Sequence, residues 1–378
     1  MIIEPSDAKG INYFGNRSKE QFIFRRVSYP GFEEKEDYEV IQGGSIELSS
    51  LSTLKVSGSL DFSGDRVPND HDLVRVYYKF EDAFLDTATE CLATMFFSVA
   101  DPTHREAMIE GTMECSSVLV LLQRRSYGLP FTIPAGTNAV ARAAEIVRSF
   151  NLPVNYSGES SYTLKSDHTF EPGDNFLEIV NWLLSAAGYS SASVDAYGTV
   201  KFERYQEPTE RPARYTFRDD EQSIMLPELK TSNDYQDTPN VARLRHTTQD
   251  ETVWAAASNI DPESKASTIS RGYENTIDEE VSELAGDTQA ERVANLKAMA
   301  VTKLIDNSSE IEKVEMGCAW LPIEPNDAIE IDYRMAGIAW RGVITNVKIS
   351  LETSIPCQLS LRNFVRRELK TSTEGGAF

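Results

Sequence analysis

The sequence predicts a mainly β protein with α+β parts. Period-2 alternation of apolar and polar residues dominates the first third and the C-terminal part of the chain, and helical spacing appears between them. With 378 residues, the chain also exceeds the size at which one hydrophobic core usually stops growing. We therefore predict a β-barrel-like domain at 1–125, an α+β domain at 126–208, and a second β-barrel-like domain at 209–378 with a helical insertion at about 260–309.

The first predicted domain consists of short strands separated by turn residues. Gly43-Gly44 and Asp101-Pro102 interrupt the alternating runs, and this spacing is typical of a small barrel or sandwich. The apolar run from Val118 to Leu122 fits either a buried strand or the start of a helix. The predicted strands lie at 39–41, 45–48, 54–60, 73–78 and 94–99.

The second predicted domain mixes helices and strands. Thr137 can cap a first helix, which ends before Pro153. The Pro-Gly-Asp segment at 172–174 opens a second helix, and Gly188 can end it in the left-handed conformation. The four residues 195–198, with Gly at the last position, fit the loop of a β-hairpin.

The third predicted domain follows a charged, proline-rich stretch at 207–212, and we place the domain boundary near residue 208. A long helix is expected to begin at residue 287 or 288. The spacing of Thr288 and Glu291 allows a capping box there.

Alternation returns after this helix and predicts strands that each have one covered face. These strands lie at 329–332, 343–351 and 357–361. The last residues, 371–378, are polar and glycine-rich, so we expect them to be mobile.

The charge balance is the strongest compositional feature. With 59 acidic and 37 basic residues, the chain has a formal net charge of −22, which opposes tight binding to phosphate backbones. We therefore expect no sequence-specific nucleic-acid binding, although an acidic surface is compatible with DNA passing by, because it offers a polyanion no adhesive contacts. No apolar stretch is long enough to span a membrane, and the N-terminus lacks the pattern of a signal peptide.

The sequence offers no catalytic, cofactor-binding or metal-binding constellation. It contains no nucleophile elbow, phosphate-binding loop, zinc-protease motif or dinucleotide-binding glycine pattern. The histidines and cysteines lie far apart, so we expect surface or turn histidines and reduced thiols. These residues are His71, His104, His168 and His246, and Cys91, Cys115, Cys318 and Cys357. We therefore assign no site residue, cofactor or metal.

Clustered charges have an ordinary interpretation. Three acidic runs could supply the facing carboxylates of a glycosidase, but such runs are usually solvated loops. Asp70-His71-Asp72 could chelate a cation but lacks the donor spacing of a calcium loop. Paired arginines could contact acidic neighbours in an assembly, although they are common on an acidic surface. The acidic runs are 33–37, 219–221 and 278–280, and the arginine pairs are 25–26, 124–125 and 366–367.

Several stretches carry a resemblance to a known family. They are IQGGSIE at 41–47, LKVSGSL at 54–60, LVRVYY at 73–78, LPFTIPAGTNAV at 129–140, PNV at 239–241, NIDP at 259–262 and LPIEPNDAI at 321–329. In their order and spacing the chain resembles the tail hub proteins of tailed bacteriophages, also called baseplate hub, tail-tip hub or tail-associated proteins. Asn326 stands where glycine is commoner in the family. None of these motifs is catalytic, so the resemblance rests on order and spacing.

The resemblance implies a baseplate-hub-like fold and a structural virion protein. It implies a ring-shaped homotrimer that adapts six-fold tail rings to a three-fold tip and closes the tail tube until DNA ejection. The implied partners are other copies of the chain, a distal tail ring protein, a tape measure protein and a central spike or fibre, with DNA passing through the channel. The protein would be assembled in the host bacterial cytoplasm and located at the tail tip or baseplate of the virion.

Two other functions are open at the level of the sequence. One is a phage tail-associated peptidoglycan hydrolase in the α+β middle, and the other is a cell-wall carbohydrate-binding module. Because the chain ends soon after its last predicted strands, we expect receptor binding and wall digestion to belong to other polypeptides. We therefore expect a protein that is not an enzyme.

Overall fold

The structure is a computed structural model that describes residues 18–377 with gaps. The gaps are 69–71, 82–86, 107, 157–159, 161, 207–210, 221–223, 234–237, 249–250, 282–283, 285–287, 308–309, 353–355 and 366–369. The chain divides into two compact units. The first contains the residues up to Leu229 together with Glu315–Leu361, and the second contains Lys230–Val314 and Arg362–Phe378. The division into three domains near 125 and 208 stays a prediction.

The described residues form the following strands. The N-terminal strands are β1 Ser18–Val27, β2 Glu34–Asp37, β3 Ile41–Ser49, β4 Val56–Gly64, β5 Leu73–Glu81, β6 Thr87–Arg105 and β7 Met108–Ser117. The middle strands are β8 Phe131–Ile133, β9 Val154–Tyr156, β10 His168–Phe170, β11 Ser193–Val194 and β12 Val200–Phe202. The remaining strands are β13 Ala213–Arg218, β14 Met225–Asn233, β15 Val241–Thr247, β16 Thr252–Asn259, β17 Thr276–Glu280, β18 Glu310–Ala319, β19 Ala328–Tyr333, β20 Ile338–Ser350, β21 Pro356–Val365 and β22 Thr371–Ala377.

Helices are fewer than strands in the described part of the chain. They are α1 Val120–Gln123, α2 Ala139–Ser149, α3 Phe176–Ala186, α4 Thr268–Arg271 and α5 Gln289–Asn307, with a 3-10 turn at Arg334–Ala336. The ambiguous apolar run before residue 123 therefore ends in the short helix α1. None of the helices among the described residues has the length and apolar composition needed to cross a membrane.

Most strands belong to one large sheet. Its hydrogen-bonded order is β14-β18-β21-β20-β3-β4-β7-β6-β5-β1-β2, and β19 pairs with β20 and β13. The antiparallel pairing of β20 with β3 places Ile349 opposite Ile46, so strands from both predicted β-barrel-like domains share this sheet. The fold is mainly β, as predicted, whereas closure into two barrels stays a prediction.

Side-chain alternation explains the strands of the first unit. In β4, Val56, Leu60 and Phe62 are buried, whereas Ser57 and Asp61 are exposed. This is the pattern expected where successive side chains of a strand point to opposite faces and one face is covered. The same rule that predicts the strand therefore also identifies its buried face.

Helices α2 and α3 pack against each other and begin at asparagine caps. The Asn138 side chain accepts a hydrogen bond from the Ala141 N–H at 3.0 Å, so the cap lies one residue after the predicted Thr137. Asn175 and Glu178 form a reciprocal capping box at the start of α3. These bonds satisfy N–H groups that have no partner within the helix.

The end of α3 and the hairpin that follows it match the sequence prediction. Gly188 follows the helix with φ +74°, the left-handed conformation that glycine adopts without a steric penalty. The β11–β12 hairpin then turns through residues 195–198, and the Asp195 N–H donates to the Thr199 carbonyl at 2.9 Å. Two further short sheets, β8–β10 and β9–β12–β11, complete this region.

The second unit contains a four-stranded sheet and the long helix α5. The sheet order is β17-β15-β16-β22, and α5 packs on β15, β16 and β22. The predicted capping box is confirmed, because Thr288 and Glu291 exchange hydrogen bonds of 3.1 and 3.3 Å. The predicted helical insertion at about 260–309 contains the strand β17 in addition to α4 and α5.

The expectation of a mobile C-terminal end is wrong for residues 371–377. They form β22, which pairs antiparallel with β16 along its whole length. The sequence did not predict this strand, because its Ser, Thr and Gly residues do not form an apolar face. The structural reason for one glycine is clear: a Cβ at Gly375 would lie 2.7 Å from the Trp254 carbonyl oxygen and 2.9 Å from Cε of Lys297 in α5.

Candidate functional site

The histidines do not come together in the described part of the chain. His104 is exposed on β6, and the His168 ring stacks on Trp182 with 3.8 Å between ring centroids. His246 is buried on β15, with Nδ1 2.7 Å from the Val281 carbonyl oxygen, so its predicted surface or turn position is wrong. His71 lies outside the described residues. Among the residues that the structure describes, no group of three metal-ligating side chains occurs.

Two of the acidic runs are strands rather than solvated loops. Residues 34–37 form β2, and residues 278–280 end β17. Their carboxylates form ion pairs with basic residues on neighbouring elements, which sequence proximity cannot reveal. The pairs are Glu34–Arg25, Glu36–Arg26, Asp37–Arg25, Glu279–Lys303 and Glu280–Arg245.

The other charged residues singled out in the sequence either contact identified partners or lie outside the residues that the structure describes. Asp219 accepts a hydrogen bond from the Met335 N–H at 2.8 Å, and this bond lowers the pKa of its carboxyl. Asp72 pairs with Arg26, whereas residues 70 and 71 are outside the described residues. The Arg125 guanidinium lies 5.5 Å from the centre of the Phe150 ring. The arginine pair at 366–367 is also outside the described residues.

A buried arginine that the sequence analysis did not single out organises the first unit. Arg75 on β5 donates to Thr94 Oγ1 at 2.9 Å and to Glu34 at 2.8 Å. It also donates to the Tyr197 carbonyl oxygen at 3.0 Å, in the loop of the β11–β12 hairpin. The sequence does contain an indication of this network, since Arg75 is the single charge in the otherwise apolar run from Leu73 to Tyr78. A charge buried in such a strand requires hydrogen-bond or ion-pair partners.

The pKa values of Glu34 and Tyr77, two groups of this network, are shifted from their ordinary values. The Glu34 carboxylate accepts hydrogen bonds from the Tyr77 hydroxyl and from Arg75, and these lower the pKa of Glu34. Burial and the bond to Glu34 raise the pKa of Tyr77 to about 12. The network therefore holds a carboxylate and a neutral phenol at neutral pH. Its hydrogen bonds join the hairpin loop to β2, β5 and β6.

A cavity of about 480 Å³ lies within the first unit. It is bounded by β3, β4, β6, the β11–β12 hairpin, the start of β13, the segment after β18, and β20. Apolar side chains form part of its wall, and the volume falls in the range of small-molecule sites, roughly 300–1,000 Å³. The larger apolar side chains of the lining include Leu48, Val56, Leu92, Val194, Trp320, Ile323 and Ile349.

Two of the basic residues lining the cavity are neutralised by carboxylates. Lys201 lies 3.0 Å from Glu324 and 3.5 Å from Glu203, and these carboxylates keep its pKa raised despite burial. Arg214 lies 2.6 Å from Asp327. The two pairs connect the β11–β12 hairpin and β13 to the segment that follows β18, because Lys201 lies on β12, Arg214 on β13, and both carboxylates between β18 and β19.

The described lining of the cavity contains one cysteine, Cys91. Cys91 Sγ donates to the Ala196 carbonyl at 3.2 Å, and burial raises the pKa of the Cys91 thiol to about 12. The thiol is therefore protonated at neutral pH and is a poor nucleophile. Among the described lining residues there is no histidine.

Exposed strand edges are the other candidate functional feature. Among the described residues, the outer strands of the large sheet are β14, β2 and β13, and those of the four-stranded sheet are β17 and β22. Leu226 on β14 is 47% exposed, and Met335 in the 3-10 turn is 86% exposed. Strand edges and exposed apolar side chains are templates for pairing with other chains, so these regions suit an assembly.

The structure is similar to solved phage tail proteins. It superposes on the tail protein from Neisseria meningitidis MC58 with a TM-score of 0.61 and 12% sequence identity, covering 92% of this chain and 97% of that chain. The 43 kDa tail protein of prophage MuSo2 from Shewanella oneidensis also gives 0.61 and 12%, with 91% and 98% covered. The chain therefore has the fold of these phage tail proteins, which confirms at the level of fold the resemblance seen in the sequence.

A chain of a PdpA–VgrG complex shows the same fold over part of its length. A chain of the half-lidded Francisella PdpA–VgrG complex gives a TM-score of 0.57 and 10% identity, covering 92% of this chain and 59% of that chain. No protein-family model matches the sequence, and no curated protein matches it. The similarity is thus carried by the backbone fold rather than by sequence identity.

Proposed function

We propose that the chain is a non-enzymatic structural protein of a phage tail, which forms the trimeric hub at the tail tip or baseplate. The observation that carries the proposal is the similarity to two tail proteins over more than nine tenths of this chain and of each of theirs. In this function the hub adapts six-fold tail rings to a three-fold tip and closes the tube until DNA ejection.

The exposed strand edges support a role in assembly. A ring of identical subunits needs two different surfaces on each copy that fit each other. The four-stranded sheet has β17 on one edge and β22 on the other, the first acidic and the second rich in small polar residues. Surfaces of this kind would also serve contacts with a tail ring protein, a tape measure protein and a central spike or fibre.

The mass of the assembled protein tests the trimer. We expect the protein, purified alone or within tail particles, to form a species of three times the 42.3 kDa of one chain, and particle images to show a three-fold ring. An interface of the obligate kind buries roughly 2,000 Å² or more. A chain that stays monomeric inside intact particles would contradict the trimer without contradicting a structural role in the tail.

The net charge supports a conduit that does not retain DNA. The charge of −22 on each copy is triplicated in a trimer, and like-charged walls make no counterion-releasing contacts with a polyanion. Because repulsion is screened beyond about 8 Å at physiological salt, it acts only in a narrow channel. We expect no tight binding of duplex DNA even at low salt, and tight binding would contradict a passive channel.

Wall assays separate this proposal from the two alternatives. A peptidoglycan hydrolase would clear a turbid suspension of host cell walls, and a carbohydrate-binding module would sediment with them. We expect neither result from the purified protein. Clearing that is lost on substituting Asp219 or Asp220 by Ala would overturn the non-enzymatic assignment.

A further inference from the structure

The cavity of the first unit contains a positive charge that no described carboxylate neutralises. Lys55 lines the cavity, and its ammonium donates to the Ser50 carbonyl oxygen at 2.7 Å. No ion pair of Lys55 occurs among the described residues, and burial lowers its pKa. Burying an ammonium without a counter-ion costs free energy, which an anion in the cavity would offset.

The backbone of Lys55 adds an independent observation. Its φ is +64°, in the left-handed region that glycine adopts readily and that other residues adopt at a steric cost. The β3–β4 connection thus holds a long cationic side chain at a position whose backbone favours glycine. Strained positions of this kind occur preferentially where a protein holds a ligand.

Arg211 brings a second cation to the same cavity. Its Nη1 donates to the Asn326 carbonyl oxygen at 2.7 Å, and its buried Nε has no hydrogen-bond partner among the described residues. Lys201 and Arg214, which also line the cavity, each have a carboxylate partner. The lining therefore combines two satisfied cations with two that lack carboxylate partners in the described part of the chain.

The geometry points to a ligand that carries a carboxylate on an apolar body. We propose that the carboxylate contacts Lys55 and Arg211 and that the apolar body packs against Trp320 and Ile323. A carboxylate matches the donors of both cations through charge-assisted hydrogen bonds. The apolar wall and the volume of about 480 Å³ favour an organic anion over a small inorganic ion. This binding function is independent of the trimeric hub.

Ligand-observed saturation-transfer NMR on the full chain tests the proposal. The probes are 3-phenylpropionate, its neutral amide 3-phenylpropionamide, and the peptide acetyl-Phe-Glu-amide. We expect the free acid or the peptide to bind at least about tenfold more tightly than the neutral amide, because only they make charge-assisted hydrogen bonds. Tighter binding of the peptide identifies a polypeptide carboxylate as the ligand, and tighter binding of the free acid identifies a small molecule. Equal binding of acid and amide, or no binding of any probe, would overturn the proposal.

Variants then assign the binding to the two cations. Lys55→Met removes the ammonium and keeps a long side chain, so we expect about tenfold weaker binding of the anionic probe and unchanged binding of the amide. Arg211→Gln should weaken anion binding in the same direction. Lys165→Met, at an exposed position outside the cavity, should leave binding unchanged. Wild-type affinity in both cavity variants would place the carboxylate elsewhere and refute the site.

Discussion

The α+β region of the first unit and the sheet–helix unit pack their helices with different kinds of side chain. In the first, the buried positions of α2 and α3 include large residues such as Leu177, Ile179, Leu183 and Leu184. In the second, small residues alternate with leucines between α5 and the sheet. The buried residues there are Ala242, Leu244, Val253, Ala255, Ala257, Leu296, Ala300 and Leu304.

This difference in packing indicates how each region should respond to a change in the volume of a buried side chain. Small residues on β16, together with Gly375 on β22, leave room for α5 to approach the sheet closely. Large residues on α3 fill the space between helices and strands. We therefore expect the α+β region to be sensitive to lost volume and the sheet–helix unit to be sensitive to added volume.

The largest effect is expected from removing volume in the α+β region. Leu183 is fully buried in α3, so Leu183→Ala should lower the free energy of unfolding by about 2–5 kcal/mol. Guanidinium denaturation gives the total change, and hydrogen exchange of peptides from α3 localises it. Ser185→Ala, on the exposed side of the same helix, should change stability by less than about 0.5 kcal/mol. Equal effects of the two substitutions would contradict the packing described for α3.

The converse substitution tests the sheet–helix unit. Ala255 is fully buried on β16 under α5, so Ala255→Leu should cost about 1–3 kcal/mol through overpacking. Hydrogen exchange should show the loss of protection in α5 and β16. Ala256→Leu, which adds the same volume on the opposite face of the strand, should cost less. A larger cost at residue 256 would show that α5 does not cover the expected face.

The helix caps allow a further comparison of the two regions, because α3 and α5 each begin with a reciprocal capping box. Asn175→Ala should cost about 1 kcal/mol, since it leaves an N–H at the start of α3 without its partner. Asn175→Asp keeps an acceptor and should be nearly neutral. Thr288→Ala at the start of α5 should cost less, because its bond to the Glu291 N–H is longer, at 3.3 Å. Thermal unfolding of the three variants under one condition checks the order.

Local features of the fold could be predicted from the sequence because they depend on neighbouring residues. The capping box of Thr288 and Glu291, the Gly188 helix end and the 195–198 hairpin all follow from short-range chemistry. The pairing of β20 with β3 joins strands about 300 residues apart, and alternation does not specify such partners. The strand β22 was missed because its side chains lack an apolar face.

The candidate cavity could not be predicted for the same reason. Its walls come from segments between Leu48 and Ile349, and no local motif connects them. The left-handed backbone of Lys55 is also invisible in a sequence where glycine is the usual sign of that conformation. Arg75 is the exception, since a lone charge in an apolar strand does indicate a buried network.

The smallest effect on the free energy of unfolding is expected from removing the charge of Glu34. This change tests the network around Arg75 in the first unit, and an exposed ion pair of the second unit serves as the comparison. Hydrogen bonds from Tyr77 and Arg75 lower the pKa of Glu34 below its ordinary value of 4.5. A lowered pKa in the folded state stabilises the protein above the unfolded pKa, and this contribution disappears as the pH falls through the folded value. Because the Glu34 side chain is 36% exposed, Glu34→Gln should cost only about 1 kcal/mol or less at pH 7. The difference from the wild type should shrink from about pH 4.5 downward in urea titrations at a series of pH values.

Glu279→Gln, which removes the exposed pair with Lys303, should cost less than about 0.5 kcal/mol at pH 7. A Glu34→Gln cost that persists unchanged at pH 3 would mean that packing, rather than the carboxylate charge, stabilises this network.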